Sequence, residues 1–209
     1  TGKSIAAFDS EFRAYLEKRL APYKGTFVLP NVGADLTKLE VAVDAAPRDA
    51  KAHARLALGH YAACDADKAK AAADAALALD KKQPIARYVL AEMALRMEDP
   101  VGAEKQFRAL IADGFDNFDL RVRLAQLASV RDDQTEIEAQ LCKAKALDPE
   151  RSFPYQQLAE LYEKSGRVAE ARRELETYAM LEQMQLAPVR KLTLDYAADG
   201  AWARVVRFA

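Results

Sequence analysis

The sequence predicts an all-α solenoid of stacked helix hairpins, and three observations carry that reading. A Leu-Ala pair recurs every 34 residues, at Leu56–Ala57, Leu90–Ala91, Leu124–Ala125 and Leu158–Ala159. Apolar residues within each unit fall at helical spacing on two successive stripes. Helix-start chemistry recurs between the stripes, at Asp65 and Asp67, at Asp99 with Pro100, and at Asp132 and Asp133. A carboxylate there accepts from the first free backbone N–H groups, and proline fits the first helical turn because it has no N–H to satisfy.

Taken in order, residues 1–33 form an N-terminal helix and loop. Phe8, Phe12, Tyr15, Leu16 and Leu20 share one stripe over residues 8–20, with Asp9 or Ser10 as the expected cap. Pro22, Gly25, Pro30 and Gly33 then mark a loop, with a short extended piece expected at Thr26–Leu29. A second helix is expected over about 34–46 and ends before Pro47. It reads as the second half of a worn repeat, residues 34–49. Four full units follow without insertion, at 50–83, 84–117, 118–151 and 152–185, and an incomplete one at 186–209. The last unit is expected to be cut within its second helix, which starts near Trp202.

The spacing has a steric reason. Antiparallel helices approach closely where one offers a small side chain, and large neighbours fill the space beside that contact. Counting the unit from Ala50, alanine at positions 8 and 20 permits the approach. Position 20 reads Ala69, Ala103, Ile137 and Ala171; position 24 reads Ala73, Phe107, Leu141 and Leu175. A single hairpin leaves an apolar face wet, so each must stack on the next.

Composition excludes several functions. Thirty-one basic and 32 acidic residues give a net charge of −1 with the signs interleaved, which supplies no field for nucleic acid or an anionic membrane. No apolar run approaches the roughly 18 residues of a membrane span, and residues 1–12 lack an apolar signal core. The chain is expected to be soluble, in the cytoplasm by default, or outside it if part of an exported protein. Cys64 and Cys142 form no disulfide framework. No catalytic motif is present, and neither cofactor nor metal is expected. His53, His60 and Cys64 share a helix stripe, but a closed zinc site requires four tightly spaced ligands. Thr1–Ser4 resembles the tail of a phosphate loop whose upstream glycine and strand are missing.

The clearest unit is 152–185. Tyr155, Leu158, Ala159, Tyr162, Gly166, Ala171 and Leu175 stand at positions 4, 7, 8, 11, 15, 20 and 24, an order that resembles the tetratricopeptide repeat (TPR). The resemblance covers roughly residues 34–209. It implies a right-handed superhelix that binds a protein or peptide partner, with positions 2, 5, 9, 12 and 13 of each first helix facing a concave groove. The residues expected to contact a peptide are Leu58, Tyr61, Ile85, Tyr88, Glu92, Leu95, Val122, Gln126, Glu160 and Glu163. Apolar anchors concentrate early, near Tyr61 and Tyr88, and a basic group of the ligand would meet Glu160 or Glu163. The clamp that some TPR domains use for chaperone tails is not matched: its positions hold Ala54, Leu58, Val89, Asp119 and Arg123, of which Arg123 alone fits. A weaker resemblance, over about the first 30 residues, is to the junction that follows a gluzincin-type metallopeptidase domain in some bacterial proteins. It implies the alternative of an accessory region in a larger enzyme. The incomplete last repeat implies self-association through its uncovered apolar face.

Overall fold

The computed structural model describes residues 4–20, 29–31 and 35–208. Twelve α-helices and no strands occur among the described residues. They are α1 (Ile5–Leu20), α2 (Leu36–Ala45), α3 (Ala50–Ala62), α4 (Ala66–Leu79), α5 (Pro84–Arg96), α6 (Pro100–Ala112), α7 (Phe118–Val130), α8 (Gln134–Leu147), α9 (Phe153–Lys164), α10 (Val168–Leu181), α11 (Leu186–Ala198) and α12 (Trp202–Phe208). From α3 onward they pair as successive hairpins, and each hairpin packs on the next. The extended piece expected at Thr26–Leu29 lies, except for Leu29, outside the described residues, as do the first three residues of the Thr1–Ser4 stretch that resembles a phosphate loop.

Two expectations at the N-terminal end are corrected. Helix α1 begins at Ile5 rather than near Phe8, and Ser4 caps it, its Oγ accepting from the Ala7 N–H at 3.3 Å. Asp9 instead lies inside the helix and pairs with Arg13 one turn on, at 2.9 Å. Helix α2 stops at Ala45, two residues before Pro47, because a residue preceding proline is pushed out of helical geometry.

One turn geometry is used five times. Cys64, Glu98, Asp132, Gly166 and Gly200 are spaced 34 apart and all have positive φ, at 62°, 61°, 53°, 72° and 70°. The following residue's N–H in each case reaches back five residues to a helix carbonyl, as in Asp65 to His60 at 2.9 Å and Arg167 to Tyr162 at 2.8 Å. This is the Schellman closure of a helix C-terminus. In the first three turns the residue that donates that bond also starts the next helix. Asp65, Asp99 and Asp133 accept from the N–H groups of Lys68, Gly102 and Glu136 at 3.2, 2.8 and 3.1 Å. One dipeptide thus ends one helix and begins the next, which is why the hairpins keep a constant register.

The core follows the repeat. Ala57, Ala91, Ala125 and Ala159 are all buried, as are Ala69, Ala103 and Ala171. Phe107 is fully enclosed and packs against Tyr88 with ring centroids 6.0 Å apart. The leucines diverge: Leu124, Leu158 and Leu192 are buried, whereas Leu56 and Leu90 are half-buried against the same core. The first hairpin is nearly all alanine inside, with Ala54, Ala57, Ala69, Ala73 and Ala76 without solvent exposure. Helix α2 closes on it at Gly59, where an added Cβ would fall 2.7 Å from Leu39 Cδ1.

Phe107→Ala is expected to destabilise the chain by about 3–5 kcal/mol, measured by urea denaturation, because the array cannot collapse into the void. Glu98→Gly is expected to do the reverse. A left-handed residue costs about 1–2 kcal/mol and glycine's extra unfolded-state entropy about 0.5–1 kcal/mol, so a net gain of about 0.5–1 kcal/mol should appear as a higher denaturation midpoint.

Candidate functional site

The ten residues expected to line a groove divide into three environments. Leu58, Ile85, Tyr88 and Glu92 are buried. Tyr61, Leu95 and Val122 are half-buried, and Gln126, Glu160 and Glu163 are exposed. The first four therefore do not offer a free surface, which corrects the expectation that Tyr88 is an open anchor. Its ring is held between α5 and α6 by Phe107. Leu58 and Ile85 join the same core, which runs from α3 to α7.

Glu92 is the centre of a polar cluster within this region. Its side chain is 3% exposed. One carboxylate oxygen accepts from the Tyr61 hydroxyl at 2.9 Å and the other from Arg123 Nε at 2.6 Å. These bonds join α3, α5 and α7, three first helices from three successive hairpins. Arg123 also donates to Gln126 Oε1 at 3.0 Å, and the Arg96 guanidinium lies over the Tyr61 ring at 4.1 Å. A carboxylate buried this deeply needs charged and hydrogen-bonded partners, and here it has both. Burial raises the Tyr61 phenol above its usual value, and the Glu92 charge adds to that. The same two causes act more strongly on Tyr88. Burial opposes the charge on Arg123, but Glu92 more than offsets it, so its guanidinium is held ionised. Arg123, the one match to a chaperone clamp, is thus already committed to Glu92.

The exposed half of the candidate site lies further along. Gln156, Glu160 and Glu163 of α9 border an open hollow of about 240 Å³ with Tyr178, Gln185 and Lys191 from α10, the connecting turn and α11. Lys191 forms an ion pair with Glu163, so of the two glutamates expected to meet a basic ligand group, Glu163 already carries a cation. Glu160 accepts from Gln156 Nε2 at 3.2 Å. A second hollow of about 360 Å³, lined by Leu77, Arg87, Leu90, Asp99, Gly102 and Gln106, was not foreseen from the sequence. Its one sequence signal is Gly102 inside a helix, where a Cβ would strike Asp99.

The His53, His60 and Cys64 stripe does not converge. His53 Nε2 lies 2.9 Å from the Pro47 carbonyl oxygen, His60 is buried and Cys64 is exposed in its turn. No group of three or more His, Cys, Asp or Glu that could hold a metal occurs among the described residues. No helix among them is long and apolar enough to cross a membrane.

Comparison with solved structures defines the fold. The chain is similar to YrrB, a TPR protein with an unusual peptide-binding site, with a TM-score of 0.61 and 18% identity over 81% of this chain and 88% of that one. It is similar to PilW, a widely conserved type IV pilus biogenesis factor, with a TM-score of 0.61 and 15% identity over 95% and 90%. PilF of Pseudomonas aeruginosa matches with a TM-score of 0.58 and 19% identity over 76% and 72%. The gluzincin resemblance has no counterpart among these three. No protein-family model matches the chain, and no curated protein does. The fold is that of a TPR solenoid.

Glu92→Gln is expected to lower stability by about 1–3 kcal/mol, because it leaves a partly buried guanidinium without its counter-charge. Thermal or urea unfolding checks this. A double-mutant cycle with Arg123→Met should recover part of the loss, since removing both charges removes the unpaired one.

Proposed function

We propose that this chain is a non-catalytic scaffold that binds a peptide segment along its first helices. The observation that carries the reading is that Tyr61, Leu95 and Val122 are half-buried apolar residues. They come from α3, α5 and α7, the three helices that the Glu92 cluster, which includes Tyr61, locks together. Tyrosine suits such a surface because its ring buries a large area at low entropy cost. Gln126 and exposed Val130 lie further along α7. The polar end is supplied by Glu160 at the hollow beside α11. The ligand that fits is an extended or helical segment with apolar anchors toward Tyr61 and Leu95 and a cation or amide toward Glu160. YrrB is a precedent at the level of fold for a peptide-binding site on this architecture.

The last hairpin supports a second reading, that the chain associates with itself. Leu186, Leu194, Trp202 and Val206 are all exposed there, Trp202 at 65%. Apolar side chains gathered on one hairpin favour a protein contact over water.

The binding reading is tested by selecting peptides from a random library on the immobilised chain and titrating the best binder. Leu95→Ser and Val122→Lys are expected to weaken it about tenfold or more, while Lys105→Ala on α6 leaves it unchanged. Binders that respond to Lys105 and ignore Leu95 and Val122 would overturn the assignment.

A further inference from the structure

We propose that the hollow between α4 and α6, floored by α5, seats a lysine or arginine side chain of a protein partner, with its cationic head on Asp99. This is a second surface, separate from the one on α3, α5 and α7. On α5, Arg87, Leu90 and Ala94 share one stripe and border the hollow, whereas Glu92 and Leu95 fall on the opposite side of the helix.

A missing side chain shapes this place. Position 19 of the unit holds Lys68, Glu136, Glu170 and Arg204 elsewhere and Gly102 here. Glycine weakens a helix, and α6 has it in its first turn. The Asp99 carboxylate lies where a side chain would start: a Cβ on Gly102 would fall 2.0 Å from Asp99 Oδ2. Asp99 Oδ1 accepts from the Gly102 N–H at 2.8 Å, so one oxygen caps the helix and the other is left for a second donor. Leu90 is half-buried, although its counterparts Leu124, Leu158 and Leu192 are buried. Leu77 and Ala94 are half-buried beside it, and the cavity measures about 360 Å³.

The other full units show what a carboxylate at this point holds. At the start of the second helix Asp65 pairs with Lys68 at 3.3 Å, Glu136 with Arg108 at 2.6 Å and Glu170 with Arg167 at 3.0 Å. Asp99 has no ion pair among the described residues. A partner's lysine or arginine entering over Gly102 restores the side chain that the second unit omits. Its aliphatic stem lies on Leu90 and Ala94, and its head meets Asp99 Oδ2, with Gln106 one turn beyond Gly102 as a second acceptor.

The remaining charges leave the Asp99 end negative. Lys81 and Arg87 also border the hollow, at its other end: Arg87 and Ala94 are seven residues apart, about 10 Å along α5. Arg87 is neutralised by Asp113 at 2.6 Å, and Asp80 and Lys82, of opposite sign, flank Lys81. The Arg96 guanidinium lies over the Tyr61 ring, and Glu98 adds a negative charge next to Asp99. Lys81 is exposed and has no ion pair among the described residues, so it suits a carboxylate on the same partner segment. Opposite signs at the two ends give the segment a direction.

The test titrates the isotope-labelled 209-residue chain with acetyl-Arg-Leu-Leu-Glu-amide, whose two charges stand about 10 Å apart when extended. The comparison probes are the same peptide with citrulline, which keeps the shape of arginine without its charge, and free arginine. The arginine peptide is expected to shift the amide resonances of Leu90 and Gly102, and both comparison probes to bind about tenfold more weakly or worse. Asp99→Asn keeps a helix cap and removes the charge. It should weaken the arginine peptide about tenfold and leave the citrulline peptide unchanged. Gly102→Lys rebuilds the Asp65–Lys68 arrangement and should abolish binding without lowering the denaturation midpoint. Equal binding of the arginine and citrulline peptides, undiminished binding to Gly102→Lys, or no shift at Gly102 would overturn the proposal. Free arginine that binds as tightly as the peptide would overturn the assignment to a protein partner. Shifts confined to the surroundings of Tyr61, Leu95 and Val122 would overturn this site and support the other surface.

Discussion

Close approach of helices at alanine is the constraint on which the rest of this structure depends. Ala57 and Ala69 are buried in one hairpin, as are Ala91 and Ala103, and Ala159 and Ala171, in later ones, and small side chains there let two helix backbones come near enough for leucine and phenylalanine to complete the core. Packing of that kind is short-range, so each hairpin relies on its neighbours and stability is shared along the chain. It also fixes which side of each first helix remains available. Once positions 8 and 11 are turned toward the partner helix, the residues one turn away must line the inter-repeat surface. The placement of Tyr61, Leu95 and Val122 follows from the alanines as much as from their own chemistry.

The first helices are held in line by a different force. A row of apolar contacts can slide, whereas Glu92 accepting from Tyr61 on one side and Arg123 on the other admits a single geometry. Buried carboxylates rarely add net stability over an apolar core, and registry is their better-attested use. In this chain the cluster spans three hairpins at the place where the candidate surface lies. A surface kept in fixed register avoids part of the ordering entropy that binding would otherwise require.

Most of the fold could be read from residues that act locally. The Leu-Ala register, the aspartates at 65, 99 and 133, and Pro84 and Pro100 each dictate a contact or a helix end through their own geometry. What could not be read depended on distant partners. Nothing in Glu92 distinguishes it from a solvated groove residue until Arg123, 31 positions on, is brought against it. Tyr88 belonged to the same stripe as Tyr61, and it became core through its contact with Phe107 of its own hairpin. The turns were half legible: Gly166 and Gly200 announce a left-handed residue, whereas Cys64, Glu98 and Asp132 adopt the same conformation with no such signal. The 34-residue period, which puts all five at one position of the unit, was the only indication.

The account's central claim is that the face of α3, α5 and α7 around Tyr61, Leu95 and Val122 is the working surface of the array. Amide hydrogen exchange of the chain, free and saturated with a library-selected peptide, tests it most directly. The account predicts added protection along these three first helices and at the Glu160 end of α9, with the second helices α4, α6 and α8 unchanged. Protection confined to the second helices, or spread evenly as a uniform gain in global stability, would contradict it.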